Sequence, residues 1–118
     1  MNLAQIDIQQ LRIKHLLYKS KVRAILYGRA FDNEFFSSSG PVGTWFNSVG
    51  KVRYAHEPET RELANVHQEL DATTRQLYRL YSGGRIDEAH EELRSIEKQS
   101  DQFMSLLSRL EDKLKEEG

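Results

Sequence analysis

The sequence contains no cysteine, which excludes disulfides, thiolate catalysis and thiolate metal ligands. It has no run of ~18 consecutive apolar residues and no basic region followed by an apolar run at its start, so we expect neither a membrane span nor a signal peptide. The formal net charge is -1, whereas nucleic acid and anionic membranes select a clustered excess of Lys and Arg. These absences predict a cytoplasmic protein that binds neither nucleic acid nor membrane.

The length and composition are those of one small helical domain. The chain has 118 residues, of which 38% are apolar and 30% are charged. That length supports a hydrophobic core without disulfides or metal staples. We therefore expect a single domain over residues 1–118.

A first helix is predicted over about residues 5–28, with an apolar stripe whose spacings alternate between three and four. The single gap in that series is filled by His15, which predicts that its imidazole points into the core. The apolar positions of the stripe are Ile8, Leu11, Tyr18, Val22 and Ile25. The following segment, 29–39, is predicted to be a loop that aromatic side chains anchor to the core.

A short second helix is predicted from Pro41 to about Ser48, because a Ser or Gly cap followed by proline is typical of a helix start. Gly50 is expected to end this helix. Gly43 inside it costs roughly 1 kcal/mol relative to alanine, which predicts that a helix or a metal site packs closely there. Trp45 is expected in the core.

Two long helices follow. The third is predicted from Pro58 to about Tyr81, before a pair of glycines, and Asp87 is expected to cap a fourth helix of about 28 residues. The fourth helix carries a 3-4 stripe interrupted at Ser100, and His90 in its first turn is expected to be solvated. Together these patterns predict an all-α fold, an antiparallel four-helix bundle of three long helices and one short helix. The stripe consists of Ala89, Leu93, Ile96, Phe103, Leu107, Leu110 and Leu114.

The third helix places His67 and Asp71 on or beside its buried face. The two residues are four apart and therefore neighbours on a helix, where they can share a proton, a partner or a metal ion. Burying such polar groups without a partner would cost on the order of 2–7 kcal/mol. The sequence thus predicts that His67 and Asp71 have a buried partner, and that His15 converges on them.

His15, the box Gly43-Thr44-Trp45 and His67 with its partner four residues later resemble, in order and spacing, the bacterial chemoreceptor zinc-binding (CZB) domain family. Members of that family are four-helix bundles that hold one zinc ion with a histidine from the first helix, a cysteine before the Gly-x-Trp box and two histidines from the third helix. The resemblance implies a non-enzymatic signalling module, often dimeric, that works with a chemoreceptor or a cyclase.

The chain departs from the family at two positions, because the family's cysteine falls at Gly40 and its second histidine falls at Asp71. The resemblance therefore implies a divalent metal site, for zinc, formed by His15, His67 and Asp71, without the thiol-based redox switch. Water or a loop residue would complete that site. The loop candidates are Asp32, Glu34, His56 and Glu57.

Alternatives remain open from the sequence alone. The same three residues could form a metal-free polar network in a bundle that serves as a structural or adaptor dimerisation domain. A di-iron enzyme would need Glu-x-x-His from two helices, which the sequence lacks, and a hydrolytic zinc site would need a base that is not evident. We expect no enzymatic activity, and we expect homodimerisation through the long stripe of the fourth helix.

Overall fold

The computed structural model describes residues 2–115, and all regular structure in that range is helical. Helix α1 spans Leu3–Ile25, α3 spans Pro58–Ser82 and α4 spans Ile86–Lys115. The short α2 covers 41–53 and consists of Pro41–Trp45, a π-helical turn over Phe46–Gly50, and Lys51–Arg53. The predicted all-α class is confirmed. No helix within residues 2–115 is long and apolar enough to cross a membrane.

Helix α1 begins earlier and ends earlier than its stripe predicts. Asn2 caps it, because its side chain accepts a hydrogen bond from the backbone of Gln5 while the Gln5 side chain accepts one from the backbone of Asn2. At the other end the N–H of Leu26 bonds to the carbonyl of Arg23, so the chain closes into a tighter turn. Helix α1 therefore ends at Ile25 rather than near residue 28.

Helix α2 starts as predicted, with Gly40 as the cap and Pro41 in the first turn. The prediction that Gly50 ends this helix is wrong, since the helical path continues through a π turn to Arg53. A Cβ at Gly50 would lie 3.0 Å from Cζ3 of Trp45. Gly50 therefore provides room for the indole ring, which is buried as expected.

Gly43 confirms the expectation of a close approach, but its neighbour is neither a helix nor a metal site. A Cβ there would lie 2.5 Å from the carbonyl oxygen of Ser38 and 2.7 Å from its Cα. The loop before α2 therefore folds back onto the start of the helix, and only glycine leaves space for that backbone.

The predicted start and end of α3 agree with the structure to within one residue. Asp87 is not the cap of α4, because α4 begins at Ile86 and the N–H of Ala89 bonds to the carbonyl of Arg85. Asp87 instead lies in the first turn, where its carboxylate complements the helix dipole. Helix α4 is 30 residues long, and His90 is exposed as expected.

Helix α4 packs along α3 on one side and along α1 on the other. Arg12 of α1 pairs with Glu111, and Lys19 pairs with Glu97. The first half of α1 therefore lies beside the carboxyl-terminal part of α4, and the second half of α1 lies beside the amino-terminal part of α4. The described chain is elongated, with extents of 50 × 24 × 21 Å.

The apolar stripe of α4 is covered within the chain. Six of its seven apolar members and Ser100 are buried, in contact with the core between α1, α3 and α4. The expectation that a second copy binds to this stripe is therefore wrong, because the stripe is already covered within the chain. A dimer would have to use another face.

Candidate histidine site

His15 lies in the middle of α1 and is completely buried, which confirms that it points into the core. A hydrogen bond of 2.8 Å joins its Nε2 to Oγ of Ser100 on α4. Its ring stacks on Phe103, with 4.3 Å between the centroids and 15° between the planes. His15 therefore connects α1 to α4 through one polar contact and one aromatic contact.

His67 lies on the buried side of α3 with 9% of its surface exposed. Its ring meets Tyr18 edge to face at a centroid distance of 5.0 Å, and it lies 6.4 Å from the ring of Phe103. The Nε2 atom is 3.8 Å from Oδ2 of Asp71, which is longer than a hydrogen bond. His67 is thus held mainly by aromatic neighbours.

Asp71 has its own polar partner, because the hydroxyl of Tyr18 donates a hydrogen bond to its Oδ1. The same hydroxyl lies 3.2 Å from Oγ1 of Thr74. Burial, together with the charge of Asp71, raises the pKa of Tyr18, so its hydroxyl keeps its proton. The Tyr18 and Asp71 pair therefore joins α1 to α3 at the level of His67.

Each histidine has a buried Nδ1 atom without a hydrogen-bond partner in the part of the chain that the structure describes. The Nδ1 atoms of His15 and His67 are buried and have no hydrogen-bond partner among residues 2–115. A buried polar atom in that state costs about 1–3 kcal/mol, and such atoms are uncommon in native structures. Two ring nitrogens in this part of the described core are therefore free to bind another partner.

Electrostatics keep both imidazoles neutral at pH 7. Burial, with smaller effects from His67 and Lys19, lowers the pKa of His15 to about 4. Burial also lowers the pKa of His67, although the carboxylate of Asp71 acts in the opposite direction. Neutral imidazole is the form that binds a metal ion.

The three predicted ligands lie in one region of the core without forming a ready cluster. His15 and His67 both contact Phe103, and Asp71 lies beside His67. Within residues 2–115, however, no three His, Asp or Glu side chains are grouped closely enough to hold a metal ion. The structure thus brings the two histidines to a shared neighbour and leaves Asp71 bonded to Tyr18.

The loop residues considered as a fourth ligand have other surroundings. His56 is largely exposed. Glu57 forms an ion pair with Lys113, with 2.7 Å between its Oε2 and the Nζ atom. Asp32 accepts a hydrogen bond from the backbone N–H of Phe35, and the neighbouring Glu34 is exposed.

Gly40, the position to which the resemblance assigns a cysteine, has no space for a side chain. A Cβ at this position would lie 1.9 Å from the carbonyl oxygen of Phe35 and 2.7 Å from its carbonyl carbon. A cysteine would therefore have to displace the loop before α2.

Sequence reasoning missed three members of the site, which are Ser100, Phe103 and Tyr18. Ser100 had a signal, since it is the polar interruption of the α4 stripe, and it lies opposite the polar interruption of α1. Tyr18 and Phe103 occupy ordinary stripe positions. Nothing in their spacing distinguishes them from core residues that serve only for packing.

A second polar cluster, also missed, fastens α2 to α1. The carboxylate of Asp7 is buried and accepts hydrogen bonds from Arg53 at 2.8 and 2.9 Å and from the hydroxyl of Tyr54 at 2.6 Å. The indole N–H of Trp45 donates to the backbone carbonyl of Asp7 at 2.9 Å. This cluster positions the short helix and leaves the histidines untouched.

Comparison of the chain with protein-family models, with characterised proteins and with solved structures gives no match in any of the three. The resemblance to chemoreceptor zinc-binding domains therefore stays a prediction from the residues.

Proposed function

We propose that this chain is a non-enzymatic sensory or signal-transduction module, related to chemoreceptor zinc-binding domains, that holds a divalent metal ion through its buried histidines. The observation that carries the proposal is the pair of buried Nδ1 atoms on His15 and His67 that lack a partner in the described chain. Zinc is the metal proposed, because neutral imidazole and carboxylate are among its usual ligands.

The donor set fits a metal ion in three respects. Both imidazoles are neutral at pH 7, since burial lowers the pKa of each. The second nitrogen of His15 is held by Ser100, as is usual for a metal-binding histidine. Asp71 lies beside the second nitrogen of His67, where it would orient His67 for an ion on Nδ1. It would act as the third ligand only if the ion were bound by Nε2 of His67 instead.

An ion held by His15 and His67 would link α1 to α3. Direct packing between these two helices is sparse compared with the packing of α3 on α4. Gain or loss of the link would therefore change the position of α1 relative to the rest of an antiparallel four-helix bundle. When bound, zinc would supply this cross-link, and no reaction is assigned to it.

The proposed readout is protein association in the cytoplasm. A displaced α1 would change how the chain binds a second copy of itself or a chemoreceptor or cyclase partner. The contacts of Arg12 with Glu111 and of Lys19 with Glu97 support the antiparallel arrangement of α1 and α4 on which this transmission depends.

The second candidate function is a metal-free bundle that acts as a structural or adaptor dimerisation domain. Two observations favour it. Asp71 is already bonded to Tyr18, and no three-residue ligand group is formed among residues 2–115. In this case the histidines, Asp71, Tyr18 and Ser100 form a polar network that fixes the register of the helices.

Metal analysis and thermal melts decide between the two functions. Protein purified without added metal, stripped with chelator and titrated with zinc is expected to bind one equivalent and to melt at a higher temperature. A hundredfold excess over the dissociation constant stabilises a fold by roughly 2.7 kcal/mol. Well under one equivalent of zinc together with an unchanged melting temperature would leave only the metal-free network.

The matched variants are four His→Ala substitutions. His15→Ala and His67→Ala are expected to abolish zinc binding, whereas His56→Ala and His90→Ala, whose side chains are exposed, are expected to retain it. Asp71→Asn separates the two roles of the carboxylate. A ligand role predicts that binding is lost, and an orienting role predicts a loss of 10–100-fold in affinity.

A further inference from the structure

Helix α1 is apolar on two opposite faces. Its inner face carries the buried stripe that includes His15. Its outer face exposes Leu3 by 56%, Ile6 by 42%, Ile13 by 61% and Leu17 by 47%. One apolar stripe is enough to hold an amphipathic helix on its core, so a second stripe of large exposed apolar side chains marks an interaction site.

The exposed residues follow the spacing of a coiled-coil seam. Positions 3, 6, 10, 13 and 17 alternate in steps of three and four, and Ser20 and Ala24 continue the series with small side chains. A seven-residue repeat of this kind is what two helices need to pack knobs into holes. The outer face of α1 is therefore shaped for another helix.

We propose that this helix is the α1 of a second copy, packed parallel and in register. The residue that selects the partner is Gln10, an exposed amide in the middle of the seam. A carboxamide has both a donor and an acceptor, so two Gln10 side chains at one level can bond to each other. A single polar residue in a seam fixes the register and the number of helices in this way.

The charges beside the seam permit this pairing. In a parallel pair, residues flanking the seam face positions five residues further along the partner helix, which places Gln9 opposite Lys14 of the second copy and Leu16 opposite its Lys21. No like charges meet. The other cations of α1 are Arg12, Lys19 and Arg23, and all three are ion-paired with Glu111 or Glu97 of their own chain.

The available area is sufficient for a dimer. A standard interface takes about a tenth of a small protein's surface from each partner, which is roughly 700 Å² of the 6909 Å² exposed by the described chain. Half of the outer cylinder of a 23-residue helix, about 11 Å across and roughly 35 Å long, amounts to about 600 Å². Flanking side chains from α4 would supply the remainder.

This interface deepens the proposed function and rests on it only for the choice of a second copy as the partner. The test of the interface does not depend on zinc. The chain has no cysteine, so a single introduced cysteine reports unambiguously on its neighbours. Leu3→Cys and Ile13→Cys are each expected to form a disulfide-linked dimer on mild oxidation, because equivalent seam positions lie within disulfide reach in a parallel pair. The matched control is Val52→Cys, which is 72% exposed on α2 and is expected to stay monomeric.

Sedimentation at tens of micromolar protein provides the second measurement. The chain is expected to show twice its mass of 13.7 kDa. The double variant Ile13→Lys/Leu17→Lys is expected to lose the dimer and to keep its helical circular dichroism. Val52→Lys is expected to remain dimeric. The parallel interface would be overturned by a monomeric parent or by a double variant that remains dimeric. Disulfide linkage of Ile13→Cys without linkage of Leu3→Cys would also overturn it. A monomer that binds anionic vesicles through the same face would do so as well.

Discussion

The imidazole of His15 on α1 lies face to face with the ring of Phe103 on α4, 4.3 Å from centroid to centroid. The stack covers one face of the imidazole, and Ser100 bonds to its edge at Nε2. One polar residue on α1 is therefore matched by two residues three apart on α4, which explains how a histidine can occupy a completely buried position.

Ser100→Ala is expected to lower the free energy of unfolding by about 1–3 kcal/mol, because Nε2 of His15 would then be buried without a partner. The measurement is urea denaturation of metal-free protein at neutral pH. Ser108→Ala provides the control, since Ser108 is exposed on the same helix and the change in helix propensity is the same. Equal effects of the two substitutions would show that the Ser100 hydrogen bond contributes nothing.

The stability of the metal-free protein is expected to fall as the pH drops below about 6.5. In the folded chain burial lowers the pKa of His15 to about 4, whereas the unfolded chain titrates near 6.5. Between these values the unfolded state binds the proton and the folded state does not. The contribution of neutral His15 to the free energy of unfolding is therefore fully present above about pH 6.5 and is lost progressively as the pH falls towards about 4. The loss is expected to reach up to roughly 3 kcal/mol.

Chemical denaturation in chelator at several pH values between about 7.5 and about 4 measures this dependence. His15→Gln removes the titrating group and is expected to flatten the curve, while His90→Gln at an exposed position is expected to leave it unchanged. A parent curve that His15→Gln does not alter would assign the acid sensitivity to other groups. Burial also lowers the pKa of His67. A loss of stability at low pH that persists in His15→Gln would therefore be assigned to His67.

The inward position of His15 was predictable because it fills the only gap in a regular stripe, and a stripe predicts which side of a helix is buried. Asp71 shows the limit of that reasoning. Its spacing from His67 predicts proximity, but Tyr18 determines which group the carboxylate bonds, and that choice depends on how α1 and α3 rotate and slide against each other. Those two variables are set by the whole core and cannot be read from one helix.

Gly50 and Asp87 show a different limit. Both are common at helix ends, and local preference favours a helix that stops at Gly50 and one that starts after Asp87. At Gly50 the packing of Trp45 overrides that preference, because burying an indole contributes more than the tenths of a kcal/mol that separate terminal residues. Asp87 lies inside the helix by one position, since the helix begins at Ile86. Tertiary contacts of this kind leave no trace in the spacing of residues.

Arg53→Ala is expected to destabilise the fold measurably, because it leaves the buried carboxylate of Asp7 with Tyr54 as its one side-chain donor among the described residues. Arg53 itself is 44% exposed, so its own charge is hydrated and contributes little. Thermal and urea unfolding measure the effect. Lys51→Ala, at an exposed position on the same short helix, is expected to change stability by less than about 0.5 kcal/mol.

Gly40→Cys is expected to lower the melting temperature and to leave zinc binding no stronger than in the parent. A Cβ there overlaps the carbonyl of Phe35, so the thiol can be accommodated only if the loop moves. Ser39→Cys, one residue earlier and exposed, is expected to melt like the parent. A tighter zinc complex in Gly40→Cys with an unchanged melting temperature of the metal-free form would show that the loop yields easily.

Phe103 touches both histidine rings, His15 at 4.3 Å and His67 at 6.4 Å between centroids. One side chain of α4 therefore packs against an imidazole of α1 and an imidazole of α3. A change in the size of that side chain, as in Phe103→Leu, would alter the surroundings of both histidines at once, although α4 itself carries neither of them.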